Sequence, residues 1–502
     1  MEFDDLVVGA GAGGAVVAAR LSEDADRQVL LVEAGPDYPT LEETPEDLRD
    51  PWISLEAHDW GYQAMTGDRP IAYPRGRVMG GSTAVNAAVA ARATVEDFDI
   101  WVRAGCDEWS YKEVLPYYMK LETEAVGDPA YHGRSGPIWI ERPRREEWQP
   151  ISAGFAEAMS AMGHDVLEDH NEPGRLGVGP CSFNVRGGVR MSVNATYLAA
   201  ARRRPNLEIR SAVLVDRVVV EGGAAVGVEA VVDGHRELLR ARRVTLAAGA
   251  VGTPAILQRS GVGPEDLLGG LGIPVVAPLA GVGANLMDHS GGGVAARARP
   301  GCQRDESVYF EMFFRDGPRA MALLTLFDPR PLGQFFGDPA GPPVISLTAG
   351  TWRPESRGWI RIRSSDPAAA PDIQLQLLTH PGDVALAVEG VHTGLEVLHS
   401  PAMKDFVDGI ISPEPAVAAS DDQIAALARA TCSTGYHPAG TARMGGSGDG
   451  DAVCDQHGRV RAVARLRVAD ASLMPVIVTA PTNLTAIMIG ERIADWMRSE
   501  AD

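Results

Sequence analysis

The chain has little cysteine: five residues in 502, at Cys106, Cys181, Cys302, Cys432 and Cys454, an odd number with no CxxC pair. This excludes a disulfide-stapled scaffold and a dithiol redox centre, and predicts isolated thiols in a reducing compartment. Cys432 reads as a small buried hydrophobe. Basic residues are scarce relative to acids, with 46 Lys and Arg against 67 Asp and Glu and a net charge of −21. Such a surface repels phosphate backbones, so nucleic acid is not an expected partner. No apolar run reaches the ~20 residues of a membrane-spanning helix. The first strand starts almost at once with no signal-like segment ahead of it, and a cytoplasmic protein is expected. HExxH and similar ligand spacings are missing too, so no metal is expected.

What is present begins at residue 6. The apolar run Leu6-Val7-Val8 leads into Gly9, Gly11, Ala12, Gly13 and Gly14, and a second run, Val29 to Val32, ends at Glu33-Ala34. A strand, a glycine turn, a helix and a strand closed by a carboxylate form the fingerprint of an ADP-ribose site. Gly9 permits the sharp turn, Gly11 lets backbone approach a pyrophosphate at the helix start, and Gly14 lets the helix pack on the sheet. Glu33 can accept hydrogen bonds from ribose hydroxyls. The bland alternative, a tight turn of small residues, does not predict Glu33.

The length suggests two domains. A helix is expected over residues 15–22, and another from Val95. The small-residue segment Gly76 to Asn86 reads as a loop, and the apolar Val85 and Ala87 to Ala91 predict that it is buried against something flat. Strands are expected at Leu207–Arg210, Val213–Val220, Ala225–Val232, Glu237–Leu239 and Val244–Gly249, followed by a helix that begins at Pro254. Residues 296–431 mix short strands and Pro/Gly joints such as Asp338–Pro343 with helices at Val384–His399 and Asp421–Ala430. Leu466–Ala469 returns to a strand, and Thr485–Met497 is an amphipathic helix. The fold class is α/β: a discontinuous Rossmann-like domain with a second α+β domain on an antiparallel sheet.

Five blocks, in order along the chain, are Gly76–Ala91 (GRVMGGSTAVNAAVAA), Gly252–Pro264 (GTPAILQRSGVGP), Gly281–His289 (GVGANLMDH), Tyr436–Gly445 (YHPAGTARMG) and Val468–Asp495. With the GxGxxG start, they resemble glucose–methanol–choline oxidoreductases, FAD-dependent alcohol oxidases and dehydrogenases. The resemblance implies FAD as cofactor, a small alcohol as substrate, and molecular oxygen or another electron acceptor as oxidant. It assigns residues 1–145, 190–295 and 432–502 to the FAD domain and 146–189 and 296–431 to the substrate domain. Glu33 would hold the adenosine ribose and Val213 would meet adenine. Met79, Gly80, Asn86, Ala87 and Ala88 would run under the flavin ring, with Asp470 and Ala471 beside the ribityl and pyrophosphate, and Thr482 and Asn483 at the pyrimidine end. Some members attach FAD through a histidine just before the asparagine matching Asn86. Here that residue is Val85, which implies non-covalent FAD.

The resemblance makes His437 the catalytic base for oxidation of a primary alcohol to an aldehyde, an imidazole of ordinary pKa near 6.5 being able to take the alcohol proton near neutrality. The other histidines, His289 included, read as structural. Gly435, two residues before the base, would leave room for oxygen or substrate, and Tyr436 would help line the substrate site. Where the family places a second histidine or asparagine, ungapped alignment puts Pro481; a register two residues longer would put Asn483 there. Phe310, Phe313, Phe314, Phe335, Phe336 and Trp352 are candidates for the substrate wall, though such residues are more often plain core. Two other functions fit the same fold: a non-redox hydroxynitrile lyase, and a flavin-binding protein without activity.

Overall fold

In a computed structural model, residues 3–52, 57–302, 310–316, 320–327 and 344–500 are described. Four parallel neighbours, Leu207–Arg210, Val29–Val32, Phe3–Val8 and His235–Leu246, form the first sheet, and Leu466–Val468 extends it beyond His235–Leu246. Their registers align Val8 with Val32 and Leu246, and Leu246 with Val468. Gly9, Glu33, Ala247 and Ala469 therefore emerge side by side at the carboxyl edge, where open α/β sheets bind ligands. Ala225–Val232 and Glu237–Leu239 pair through the Asp233-Gly234 turn as the pattern suggests. The two runs expected at Glu237–Leu239 and Val244–Gly249 are, however, one twelve-residue strand, His235–Leu246. Its first half pairs antiparallel with Ala224–Val232 and its second half parallel with Phe3–Val8. The intervening arginines hide the continuity: Ala241 is buried, while Arg243 turns back to Asp5 at 2.9 Å.

Helix Gly14–Leu21 is buried except at Arg20, whose guanidinium meets the buried carboxylate of Glu491 at 2.7 Å. Glu491 lies on the C-terminal helix Thr482–Ser499, longer than expected at both ends. The helix expected to begin at Pro254 starts earlier, at Gly249, and runs to Arg259. Pro254 cannot donate to the Ala250 carbonyl. The Thr441 hydroxyl does so instead, at 2.7 Å, so the helix passes through the proline.

The second sheet is antiparallel, in the order Val407–Ser412, Ser290–Ala298, Val344–Thr351, Ala320–Phe327, Phe310–Asp316 and Gly177–Pro180. Helices Pro381–His399 and Asp421–Thr431 pack on it. Strand Ser290–Ala298 crosses the boundary at 295 expected from sequence. The Asp338–Pro343 joint lies outside the described residues. In a smaller sheet, hairpin Gln63–Thr66 and Arg69–Ala72 joins Asp372–Gln374 and Trp359–Arg361. No helix among the described residues is long and apolar enough to cross a membrane.

Two buried polar devices fix the loops between these layers. Arg190 donates to the carbonyls of Asp47, Leu48, Asp50, Ala84 and Asn86 at 2.7–3.0 Å, tying the small-residue loop to the preceding connection. Asp97 closes a capping box with Thr94 on helix Val95–Arg103. The same carboxylate accepts from the Thr479 backbone and hydroxyl at 3.0 and 2.8 Å.

Candidate active site

A cavity of about 1130 Å³ opens at the carboxyl edge of the first sheet and runs to the second. It slightly exceeds ordinary ligand sites, which span roughly 300–1,000 Å³. At its floor the glycines divide by job. Gly9 has φ +93°, and a Cβ there would fall 2.5 Å from the Ala247 carbonyl oxygen. At Gly13 a Cβ would fall 1.8 Å from the Ala469 oxygen, and at Gly14 1.9 Å from the Gly9 oxygen, so both permit backbone crossings. Gly11 differs, because a Cβ there would meet only Gly81 Cα, at 3.9 Å, and would otherwise project into the cavity. That open cradle beside a helix start suits a pyrophosphate.

Glu33 is buried, and each carboxylate oxygen accepts one backbone N–H, Ala10 on Oε2 and Gly35 on Oε1, both at 2.9 Å. Burial pushes its pKa up while those N–H groups oppose the shift. Each oxygen keeps a lone pair for a ribose hydroxyl. Ala12, Ala34 and Val213 line the same end, and Val213 N donates to the Glu33 carbonyl at 2.8 Å.

Asn86, Ala87 and Val85 line the middle of the cavity. Met79, Gly80 and Ala88 do not line it; Met79 and Ala88 are buried behind the wall, and Gly80, at φ +100°, ties the loop to Ala10 through a 3.0 Å bond. Asp470 and Ala471 line the cavity, but the Asp470 carboxylate is committed to four protein donors: Ser472 N and Oγ, Gly249 N and Thr253 Oγ1. Pro481, Thr482 and Asn483 all reach the cavity from the start of the C-terminal helix, and Asn483 Nδ2 donates to Asn184 at 3.3 Å. The positive end of an eighteen-residue helix therefore faces this part of the cavity.

His437 stands at the far end, part of its ring accessible from the cavity. Its backbone N donates to Asp288 Oδ1 at 2.9 Å, and Tyr73 and Thr434 hydroxyls donate to Asp288 Oδ2 at 2.6 and 2.5 Å. Its Nδ1 lies 2.9 Å from Nδ1 of His289. Trp352 packs its ring 4.2 Å from His289 and 5.9 Å from His437. Desolvation first, then His289 and the Arg75 guanidinium, push the His437 pKa well below the ordinary histidine value. The imidazole is thus neutral, and a weaker base than an ordinary pKa implies.

Two sequence expectations change here. His289, read as one more structural histidine, is the hydrogen-bond partner of His437. Their 148-residue separation hides the pairing; its trace in sequence is the polar Asp288-His289 step that ends the apolar Leu286-Met287. Gly435 lines the cavity, but a Cβ there would fall 3.0 Å from both His289 Cβ and His437 Nδ1. The glycine relieves the histidine pair rather than opening free space. Tyr436 lines the cavity with φ +60°, and its carbonyl accepts from Arg75 at 2.7 Å. Of the aromatics, Trp352 lines the cavity; the side chains of Phe310, Phe313 and Phe314, and all of Phe335 and Phe336, lie outside the described residues.

Away from the cavity, Glu122, Glu124 and His132 converge in a buried group that their sequence spacing did not announce. With Asp169, three carboxylates face Arg92, Arg142 and the imidazole of His132 at 2.5–2.9 Å. Burial opposes the charge on His132, but hydrogen bonds to Asp169, Glu122 and Glu124 raise its pKa to about 10. Imidazolium and two guanidiniums neutralise the carboxylates. The group is an ion-pair hub, with both nitrogens of His132 engaged.

The family model of GMC oxidoreductases matches residues 3–291, and its C-terminal counterpart matches residues 354–490. The chain is 34% identical to 5-(hydroxymethyl)furfural oxidase of Methylovorus sp. (strain MP688), over 99% of both chains. It is 35% identical to oxygen-dependent choline dehydrogenase 1 of Chromohalobacter salexigens, over 99% of this chain and 95% of that one. The structure of pyridoxine 4-oxidase from Mesorbium loti superposes with a TM-score of 0.91 at 30% identity, covering both chains fully. The protein belongs to the GMC oxidoreductase family. It is an FAD-dependent oxidoreductase acting on alcohols.

Proposed function

We propose that the protein oxidises a primary alcohol to an aldehyde, with His437 as general base and non-covalent FAD in the cavity. The observation that carries this reading is that one cavity joins the Gly11–Glu33 cradle to a neutral, partly accessible imidazole. Bound FAD supplies the acceptor for the hydride leaving the alcohol α-carbon. Everything else falls to the chain. Glu33, the glycine turn and Val213 hold the nucleotide half, while the loop at Asn86–Ala87 and the helix start at Thr482-Asn483 position the ring half. His437 takes the hydroxyl proton, and Tyr436, Gly435, Pro481 and Trp352 shape the space beside it. Val85 offers no nucleophile for a covalent link. Pro481 offers neither donor nor acceptor, so His437 is the side-chain base without an opposing partner at that position. Sheet pairing of Leu466–Val468 with His235–Leu246 supports a discontinuous flavin domain assembled from the start, middle and end of the chain, its middle part ending before strand Ser290–Ala298.

The test is anaerobic bleaching of the flavin by a panel of primary alcohols, including aromatic, furanic and quaternary-ammonium alcohols. Wild type should bleach with at least one of them, and His437→Ala should bleach about 10²- to 10⁴-fold more slowly. Equal rates would remove His437 from the reaction. Reoxidation in air against an artificial acceptor then separates an oxidase from a dehydrogenase.

A further inference from the structure

The proton positions on the two paired histidines follow from their neighbours. Nε2 of His289 lies 2.9 Å from the carbonyl oxygen of Val478, an atom that only accepts, so this nitrogen carries hydrogen. Burial pushes the His289 pKa down to about 3, so the ring is neutral and has one N–H. Nδ1 of His289 is therefore an acceptor. The atom facing it at 2.9 Å, Nδ1 of His437, must donate. We infer that His289 locks His437 in the Nδ1–H tautomer and so directs its lone pair, on Nε2, at the substrate hydroxyl. Nε2 has no hydrogen-bond partner among the described residues, nor is it sealed from solvent, since it is not among the buried unpaired atoms.

His289 itself does not line the cavity, which makes it a positioning residue. Its own orientation is set from both sides by a single carboxylate. Asp97 holds Thr479, next to the Val478 carbonyl, and accepts from Arg353 at 2.6 Å, next to the Trp352 ring that packs on His289. In the step this serves, the alcohol O–H bond breaks, the proton passes to Nε2 and the electron pair stays on oxygen. The resulting imidazolium then donates through both nitrogens, Nδ1–H still to His289.

The inference rests on the reading of His437 as base, and its test keeps the two apart. Holoenzyme labelled with ¹⁵N at histidine, with His437 assigned by its loss in His437→Gln, should show Nδ1 of His437 protonated and Nε2 bare. In His289→Leu, which offers Nδ1 no acceptor, the proton should shift to Nε2, and anaerobic flavin reduction should slow by about 10²- to 10⁴-fold, the scale seen when a catalytic histidine is held in the wrong tautomer. His289→Gln, whose amide offers one N–H to Val478 and one oxygen to His437, should keep the wild-type pattern and recover at least about tenfold over the leucine variant. A wild-type spectrum with the proton on Nε2 overturns the inference even if both His289 variants misfold, and so does a leucine variant with tautomer and rate intact. An unchanged rate in His437→Gln instead overturns the base assignment beneath it, whatever the spectrum shows.

Discussion

Asp470 and Gly249 are 221 positions apart in sequence and 2.9 Å apart in the fold, joined by a hydrogen bond from the Gly249 N–H to Oδ2. With Thr253 on the same oxygen and Ser472 on the other, the carboxylate staples the last strand to the start of a helix that borders the cavity. Asp470→Ala leaves these buried donors without their acceptor, at about 1–3 kcal/mol for each unsatisfied group. The expected result is a lower melting temperature together with loss of FAD during gel filtration. A variant that keeps both would show that the staple is dispensable.

Gly11 and Gly13 are two positions apart and should fail in opposite ways. The Cβ of Gly11→Ala enters open cavity, so the apoprotein should melt near wild type while FAD affinity falls by at least about tenfold. The Cβ of Gly13→Ala meets the Ala469 oxygen at 1.8 Å, and the apoprotein itself should be destabilised by about 1–3 kcal/mol, as for overpacked cores. Differential scanning calorimetry of the apoproteins and titration with FAD check both.

The lowered pKa of His437 has a definite sign in kinetics and in stability. Its neutral, proton-accepting form persists below the ordinary histidine pKa of 6.5, so the rate of anaerobic flavin reduction should stay level through that pH and fall only in more acid solution. The unfolded chain, in contrast, protonates His289 and His437 near 6.5 while the folded chain does not; His289 does so only at about 3. Unfolding free energy should therefore drop as pH falls below about 6.5, through these two rings. Urea denaturation of wild type and His289→Gln, compared across that range, measures the His289 share.

His132 behaves in the reverse sense. Its pKa is raised to about 10, so its contribution is complete below 6.5 and lost as pH rises through about 10. Replacement by phenylalanine leaves Glu122, Glu124 and Asp169 facing only two guanidiniums. Breaking such a buried pair costs about 3–5 kcal/mol. Denaturant titrations at neutral pH should show that loss, and it should shrink toward pH 10.

Thr441 and Pro254 can be tested as a pair. Thr441→Val removes the donor on the Ala250 carbonyl and should cost about 1–3 kcal/mol. In a Pro254→Ala background the new backbone N–H can reach that carbonyl, so the same threonine change should cost clearly less. A double-mutant cycle by urea denaturation reads the difference.

Much of the nucleotide half was legible because its demands fall on neighbouring residues. Gly9 to Gly14 and Glu33 span one strand–helix–strand unit, and each spacing has a steric reason. The helix through Pro254 was misread because its rescue comes from Thr441, nearly two hundred residues on. His289 was misread for the same kind of cause: the partners that define it, His437 and Val478, meet only in three dimensions. The Glu122–His132 hub was invisible since ligand-like spacing is a local signal, while the arginines that neutralise it come from residues 92 and 142. Short-range chemistry leaves a trace in sequence, and long-range satisfaction of polar groups does not.

Arg190 grips main-chain oxygens only, five of them across residues 47–86. Every amino acid carries that oxygen, so side chains along the gripped segments can drift without loosening the grip. Evolution is therefore free to retune the wall residue by residue, while a single position, 190, decides whether the wall keeps its path.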